Sequence, residues 1–157
     1  MAQDRHPTIW TPVVVPPFCE RLIGFSVPVD GRSLVLSYEA VHILTLGDSL
    51  RVDTDDTLAE YDIYDPEVGI ATYHDTTYSI LGLHGGRALS RSPTGAVLML
   101  DQDKQVLTVT SDDVIELTCD YQNFSGDWAA ATFSPDGAYI LLGCPCDFDF
   151  RVWKRAI

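Results

Sequence analysis

The sequence predicts an all-β protein. Short runs of β-branched and aliphatic residues recur along the 157-residue chain, and Gly, Asp or Pro separates them, as in strands joined by tight turns. Helical periodicity is almost absent, because residues 55–61, the one candidate segment, lack apolar residues at positions i, i+3, i+4 and i+7. A strand-turn-strand unit also repeats four times. These observations together favour one domain built from β repeats.

The repeat is centred on a glycine that follows a turn, at Gly31, Gly69, Gly95 and Gly137. One predicted strand precedes each glycine and two follow it, at a nearly constant spacing. The first strands of the four units are predicted at 22–26, 58–63, 88–92 and 129–134, and additional outer strands at 49–53 and 113–118. The resulting units span about 20–53, 58–84, 87–119 and 128–155. The interval between Gly69 and Gly95 is the shortest, which predicts a truncated second unit.

The last unit carries a recognisable motif. Residues 133–137, Phe-Ser-Pro-Asp-Gly, resemble the turn between the first two strands of a WD40 repeat, and residues 151–154, Arg-Val-Trp-Lys, resemble the end of its third strand. Residues 92–95 repeat the turn, and Asp147 stands near the acidic turn residue of that family. The resemblance implies a small WD40-like β-propeller of about four blades. Because residues 126–128 read Gly-Asp-Trp instead of the family's Gly-His pair, the propeller is expected to be irregular or incomplete.

Closure of such a ring needs a strand from the other end of the chain. We expect residues 8–15 to form the outer strand of the last blade, paired with the strand that contains Trp153. Their prolines suit an edge strand, where one side of the ladder is free. The alternative is an incomplete propeller, or a curved stack of sheets, that completes its edges against a second copy or a larger partner.

Composition excludes some classes of partner. The net charge of -13 repels phosphate backbones and anionic lipid surfaces, so binding of nucleic acid or membrane is not expected. No apolar stretch has the length of a signal peptide or a membrane helix, which predicts a cytoplasmic protein. In that reducing compartment, Cys19, Cys119, Cys144 and Cys146 are expected to be buried thiols, since one intervening residue at 144–146 is too few for usual zinc ligands.

Catalytic and metal-binding patterns were weighed against simpler roles. Residues 53–56 and 101–103 alternate carboxylates as calcium loops do, but the glycine and distal glutamate of such loops are missing, so acidic turns are favoured. No nucleophile elbow and no glycine-rich phosphate loop is present. His42, in the middle of a predicted strand, is expected to be a packed or rim residue.

A scaffold without a catalytic constellation predicts a non-enzymatic protein-protein interaction or scaffold module, for which no cofactor and no metal are expected. The residues expected at the partner-binding surface are Tyr73, His74, Asp75, His84 and Trp128. Two alternatives stay open. One is a propeller-type hydrolase that depends on calcium or zinc. The other is an incomplete propeller that functions as an oligomer or complex subunit.

Overall fold

The computed structural model describes residues 9–18, 21–82, 86–121, 129–144 and 149–156. The prediction of an all-β protein is confirmed, because the described residues form fourteen strands, one 3-10 turn and no α-helix. The strands are β1 (Trp10–Val13), β2 (Leu22–Ser26), β3 (Arg32–Ser37), β4 (Val41–Thr45), β5 (Arg51–Asp55), β6 (Tyr64–Asp65), β7 (Ile70–Tyr73), β8 (Thr76–Gly82), β9 (Val97–Asp101), β10 (Val106–Ser111), β11 (Val114–Asp120), β12 (Ala130–Phe133), β13 (Tyr139–Cys144) and β14 (Asp149–Arg155). Within this part of the chain, no helix has the length and apolar character required to cross a membrane.

The strands form three antiparallel sheets. Their orders are β5-β4-β3-β2-β8-β7-β6, β11-β10-β9 and β1-β14-β13-β12. Most neighbours are consecutive in sequence and are joined as hairpins. The two exceptions, β2 with β8 and β1 with β14, bring distant segments together. The longest sheet is a curled half-barrel, whose two ends face each other.

The sheets stack face to face, and β13 shows this in its sequence. Ile140 and Leu142 pack into a cluster shared with β9 and β10, whereas Leu141, on the opposite face, packs into a cluster shared with β2 to β4. A strand covered on both faces is apolar at nearly every position instead of every second one. The sheets of units three, four and one therefore stack in that order. Units one and two nevertheless form one continuous sheet, so a ring of four separate blades is not established.

Two glycines allow the first two units to join. Gly24 of β2 lies opposite Gly82 of β8. A Cβ on Gly82 would stand 2.4 Å from the Ile23 carbonyl oxygen, and one on Gly24 would stand 2.6 Å from the Leu81 carbonyl oxygen. Both distances are shorter than real Cβ contacts, so only glycine lets these strands approach closely enough to form the ladder.

The expected pairing of the N-terminal segment with the Trp153 strand is confirmed. Within the ladder between β1 and β14, Trp10 pairs with Arg155 and Pro12 pairs with Trp153. The Trp10 side chain is 2% exposed, and its indole N–H donates to Oε1 of Glu116 at 3.1 Å. The same oxygen accepts a hydrogen bond from Arg155 at 3.2 Å. This anchor connects β1, β14 and β11, so the closing strand also fastens two sheets together.

Two predicted strands are wrong. Residues 58–63 form a 3-10 turn at Glu60–Asp62 instead of a strand, because the Asp62 carboxylate accepts the Ala59 amide at 2.8 Å and closes the chain locally. Residues 88–92 contain an isolated bridge at Arg91 and no extended strand, although the Leu89 carbonyl accepts the Phe133 amide at 2.9 Å. The predicted strands at 49–53 and 113–118 are present with shifted bounds, as β5 and β11.

His42 is packed, in agreement with the sequence. Its side chain is 2% exposed, with Nε2 3.0 Å from the Ser37 hydroxyl and Nδ1 3.0 Å from the Thr54 hydroxyl. Burial lowers the pKa of His42, and the charge of Glu39 opposes part of that effect. The ring therefore cross-links β3, β4 and β5 in its neutral form.

The prediction of buried thiols is confirmed for one described cysteine and wrong for the other. Cys144 is fully buried. Cys119 is half-buried, and its sulfur accepts a hydrogen bond from Arg151 at 3.0 Å. Cys19 and Cys146 lie outside the described residues, as does Asp147.

Candidate functional site

A cleft of about 430 Å³ opens between the two ends of the curled sheet. This volume falls in the range of roughly 300–1,000 Å³ typical of ligand sites. One wall is the ladder of β3, β4 and β5, and the other is the hairpin of β7 and β8. The cleft exists because the junction of β2 with β8 turns these two ladders toward each other.

The pairing of β3, β4 and β5 brings the residues of the first wall together. Arg32, Thr45 and Arg51 lie side by side across β3, β4 and β5, and all three line the cleft. Two residues along the strands, Ile43 and Asp53 form the next row on the same face. Since side chains alternate between the faces of a strand, these two rows present cationic, hydroxyl and apolar groups to one opening.

The second wall ends in a two-residue hairpin loop. His74 and Asp75 have φ values of +47° and +65°, the left-handed conformation that a type I′ turn requires at both positions. The turn exposes His74 beside Tyr73, with the ring centroids 4.1 Å apart at an interplanar angle of 74°. Thr76, which pairs with Tyr73 in the ladder, completes the rim on this side.

A hydrogen bond joins the two walls. The Tyr73 hydroxyl donates to Oδ2 of Asp55, on the edge strand β5, at 2.9 Å. Hydrogen bonds from Thr57, and then the one from Tyr73, hold the pKa of Asp55 below its usual value. Burial, together with the Asp55 carboxylate, raises the pKa of Tyr73 to about 12. At neutral pH the tyrosine is thus a fixed donor and the aspartate a fixed acceptor.

Two polar side chains of the lining, Tyr78 and Arg32, form no hydrogen bond across the cleft to another described residue. The Tyr78 ring is 5% exposed and packs in the apolar cluster below the cleft, yet its hydroxyl has no hydrogen-bond partner among the described residues. Burial raises the pKa of Tyr78, and the charge of Arg32 counteracts part of that rise. Arg32 itself forms no ion pair within the described part of the chain, whereas Arg51 pairs with Asp53 at 3.2 Å.

The cleft gathers part of the surface predicted from sequence. Tyr73 and His74 line it. Asp75 occupies the same turn and is exposed, but it does not contribute to the lining. His84 and Trp128 lie outside the described residues.

Sequence reasoning missed Arg32, Arg51 and Tyr78. The signal that could have identified the two arginines is that they are the first residues of β3 and β5, the strands on either side of β4. This places them in one row once the hairpin register is known. Tyr78 gave no such signal, because a tyrosine within a strand usually belongs to the core.

The acidic runs considered as cation sites have structural roles. Asp53 pairs with Arg51, and Asp101 accepts the amides of Asp103 and Lys104 at 3.1 and 3.0 Å, which closes a turn. In the described ranges, no three His, Cys, Asp or Glu side chains form a group that could hold a metal ion. The turn role predicted for Asp101 is confirmed.

Comparison with protein-family models, with curated proteins and with solved structures gave no match to this chain.

Proposed function

We propose that this protein is a non-enzymatic protein-protein interaction module, and that the cleft between the β3–β5 ladder and the β7–β8 hairpin receives a segment of its partner. The observation that carries the proposal is the clamp between Tyr73 and Asp55. It holds a pre-formed opening of ligand size, at whose rim aromatic, arginine and threonine side chains stand together. Tyrosine and arginine are enriched at protein interfaces, where they contribute much of the binding energy.

The reactive groups of the lining favour binding over catalysis. A nucleophile needs a neighbouring base, and no hydrogen bond joins His74 to a hydroxyl or thiol among the described residues. Asp55 is committed to Thr57 and Tyr73, while Asp53 is committed to Arg51. Asp55 thus links the two walls, whereas Asp53 pairs with an arginine of its own strand.

A quantitative pull-down from the native lysate tests the proposal. The tagged wild-type protein is compared with His74→Asn, because asparagine tolerates the left-handed turn that alanine would strain. Asp113→Asn, at a left-handed position of the turn between β10 and β11, is the matched control. We expect at least one stoichiometric partner that binds the wild type and the control but is depleted with His74→Asn. If the partners of the three proteins are the same, the cleft is not the docking site.

A second candidate function follows from the open end of the stack. The chain has a net charge of -13, yet the outer face of β9 to β11 carries no charged residue at its centre. Met99 and Ile115 lie on this face and are 63% and 64% exposed. An incomplete propeller that works as a subunit would cover such a face with another chain. Mass measurement in solution tests self-association: a monomer at micromolar concentration contradicts the homo-oligomeric form of this candidate.

We propose that the four units are an irregular WD40-like propeller with its ring open between units two and three, and that the protein works in the cytoplasm. Among the described strands, the continuous sheet formed by units one and two supports the irregularity. Fluorescence microscopy of the tagged chain in its native cell tests the location, and membrane or extracellular signal would contradict it.

A further inference from the structure

The hydrogen-bond donors of the cleft that have no acceptor among the described residues indicate the chemistry of the partner. Building on the proposed interaction function, we propose that the cleft recognises a carboxylate, held by the Arg32 guanidinium and the Tyr78 hydroxyl. The carboxylate is either the side chain of an acidic residue in the partner or the partner's C-terminus.

Hydrogen-bond donors and acceptors are unevenly paired in the cleft. The two carboxylates that line the cleft or clamp its walls already have donors: Asp53 has Arg51, and Asp55 has Thr57 and Tyr73. Asp30, whose charge also acts on Tyr78, does not line the cleft. The groups without a partner among the described residues are Arg32, which can only donate, and the Tyr78 hydroxyl. Because a buried polar group without a hydrogen bond is costly, the Tyr78 hydroxyl favours an acceptor in the cleft. The ligand must therefore bring acceptors.

Arg32 and Tyr78 stand on opposite walls of the cleft. Arg32 stands in the outer row of the first wall, directly across from Thr45, and Tyr78 lies on the facing hairpin below the rim. The charge of Arg32 acts on the Tyr78 hydroxyl across this shared opening. A planar guanidinium can bind both oxygens of a carboxylate, and a phenol can donate to one of them. The rings of Tyr73 and His74 and the side chain of Ile43 offer contacts to the apolar part of the ligand.

The net charge of -13 on the protein does not decide the sign of the charge on the ligand. At physiological ionic strength, charges separated by more than about 8 Å are largely screened. A carboxylate inside the cleft is governed by groups within hydrogen-bond distance, and there Arg32 is a cation without a described counter-ion. Arg51 adds little to this field because Asp53 neutralises it.

The first experiment uses sodium benzoate, with benzamide as its uncharged counterpart, in titrations of ¹⁵N-labelled protein followed by NMR. We expect benzoate to shift amide signals along β3, β4 and the β7–β8 turn, and to bind at least about tenfold more tightly than benzamide, the size expected for a charge-assisted hydrogen bond. Arg32→Gln should abolish that difference, and Tyr78→Phe should reduce it. Arg91→Gln, a matched change at an exposed arginine outside the cleft, should leave it unchanged. Benzoate that binds no better than benzamide, or equally well to Arg32→Gln, overturns the proposal.

A second experiment distinguishes the two sources of the carboxylate. One blocked peptide carries a central glutamate between leucines, and another carries glutamine there but ends in a free carboxylate. Tighter binding of the first identifies an acidic side chain, and tighter binding of the second identifies a C-terminus. If a peptide with neither carboxylate binds the wild type and Arg32→Gln as tightly as the charged peptides do, carboxylate recognition is wrong. The pull-down remains a separate test, because a partner lost with His74→Asn but retained with Arg32→Gln would leave the interaction function in place.

Discussion

The anchor formed by Glu116, Arg155 and Trp10 should contribute strongly to stability, because it includes a buried charge. The Glu116 side chain is 6% exposed and that of Arg155 is 33% exposed, and they meet at 3.2 Å. Removal of one partner of a buried pair costs about 3–5 kcal/mol, since the remaining charge is left without compensation. Because a third of the arginine reaches solvent, we expect about 2–4 kcal/mol for Arg155→Met, which retains an apolar stem beside the Trp10 ring.

A double-mutant cycle separates this effect from lost packing. Glu116→Gln still offers an oxygen to the Trp10 indole, so it should cost about 1 kcal/mol, and the variant with both changes should be more stable than Arg155→Met alone. Urea unfolding followed by tryptophan fluorescence measures all four proteins. Arg51→Met, which breaks an exposed ion pair, is the matched control and should cost less than about 1 kcal/mol. A cost below about 1 kcal/mol for Arg155→Met, or strictly additive changes, would refute the reasoning.

Three further predictions concern a glycine, a buried histidine and the clamp of the cleft. Gly143→Ala places a Cβ 2.7 Å from a ring carbon of Phe25 in the core, and it should lower the free energy of unfolding in urea by about 1–3 kcal/mol. Gly47→Ala is the control. Its Cβ would stand 3.4 Å from the nearest atom, so it should change stability by less than about 0.5 kcal/mol. The pKa of His42 is lower in the folded protein than its ordinary value of 6.5, so the unfolded chain binds more protons below that pH. The free energy of unfolding should therefore fall as the pH decreases below 6.5. Equal slopes of that free energy against pH for the wild type and His42→Asn, between pH 7 and 5, would contradict this. Tyr73→Phe removes the hydrogen bond to Asp55 and should speed amide hydrogen exchange in the β7–β8 hairpin, while exchange in β13 is unchanged. If the hairpin amides of the variant exchange as slowly as those of the wild type, the clamp is unnecessary.

Local sequence signals predicted most strands, because a strand needs only alternation and turn residues to be visible. The predicted bounds of β2 agree with the structure. Residues 58–63 contain the same alternation but fold as a turn, since the Asp62 carboxylate offers a nearer partner to the backbone than any neighbouring strand does. Alternation indicates which residues could form a strand, but not whether a ladder is available for them.

The candidate site was less predictable, because it depends on contacts between distant segments. Tyr73 and His74 were expected at a surface on the basis of a turn, a local feature. The role of Arg32 follows from the junction of β2 with β8, which depends on close approach at Gly24 and Gly82. Tyr78 combines a buried ring with a hydroxyl on a cleft, and only the folded arrangement reveals the second property.

The pairing of β1 with β14 has a consequence for the order of folding. These strands stand at opposite ends of the described chain, so their ladder closes the longest loop among the described strand pairs. Contacts of large sequence separation form slowly, because the entropy of loop closure is lost before any contact compensates for it. Trp10 should therefore become buried last, after the hairpins of β2 to β5 and β9 to β11 have formed. Until that step, the Glu116 carboxylate and the free side of β14 remain open to solvent and to other chains.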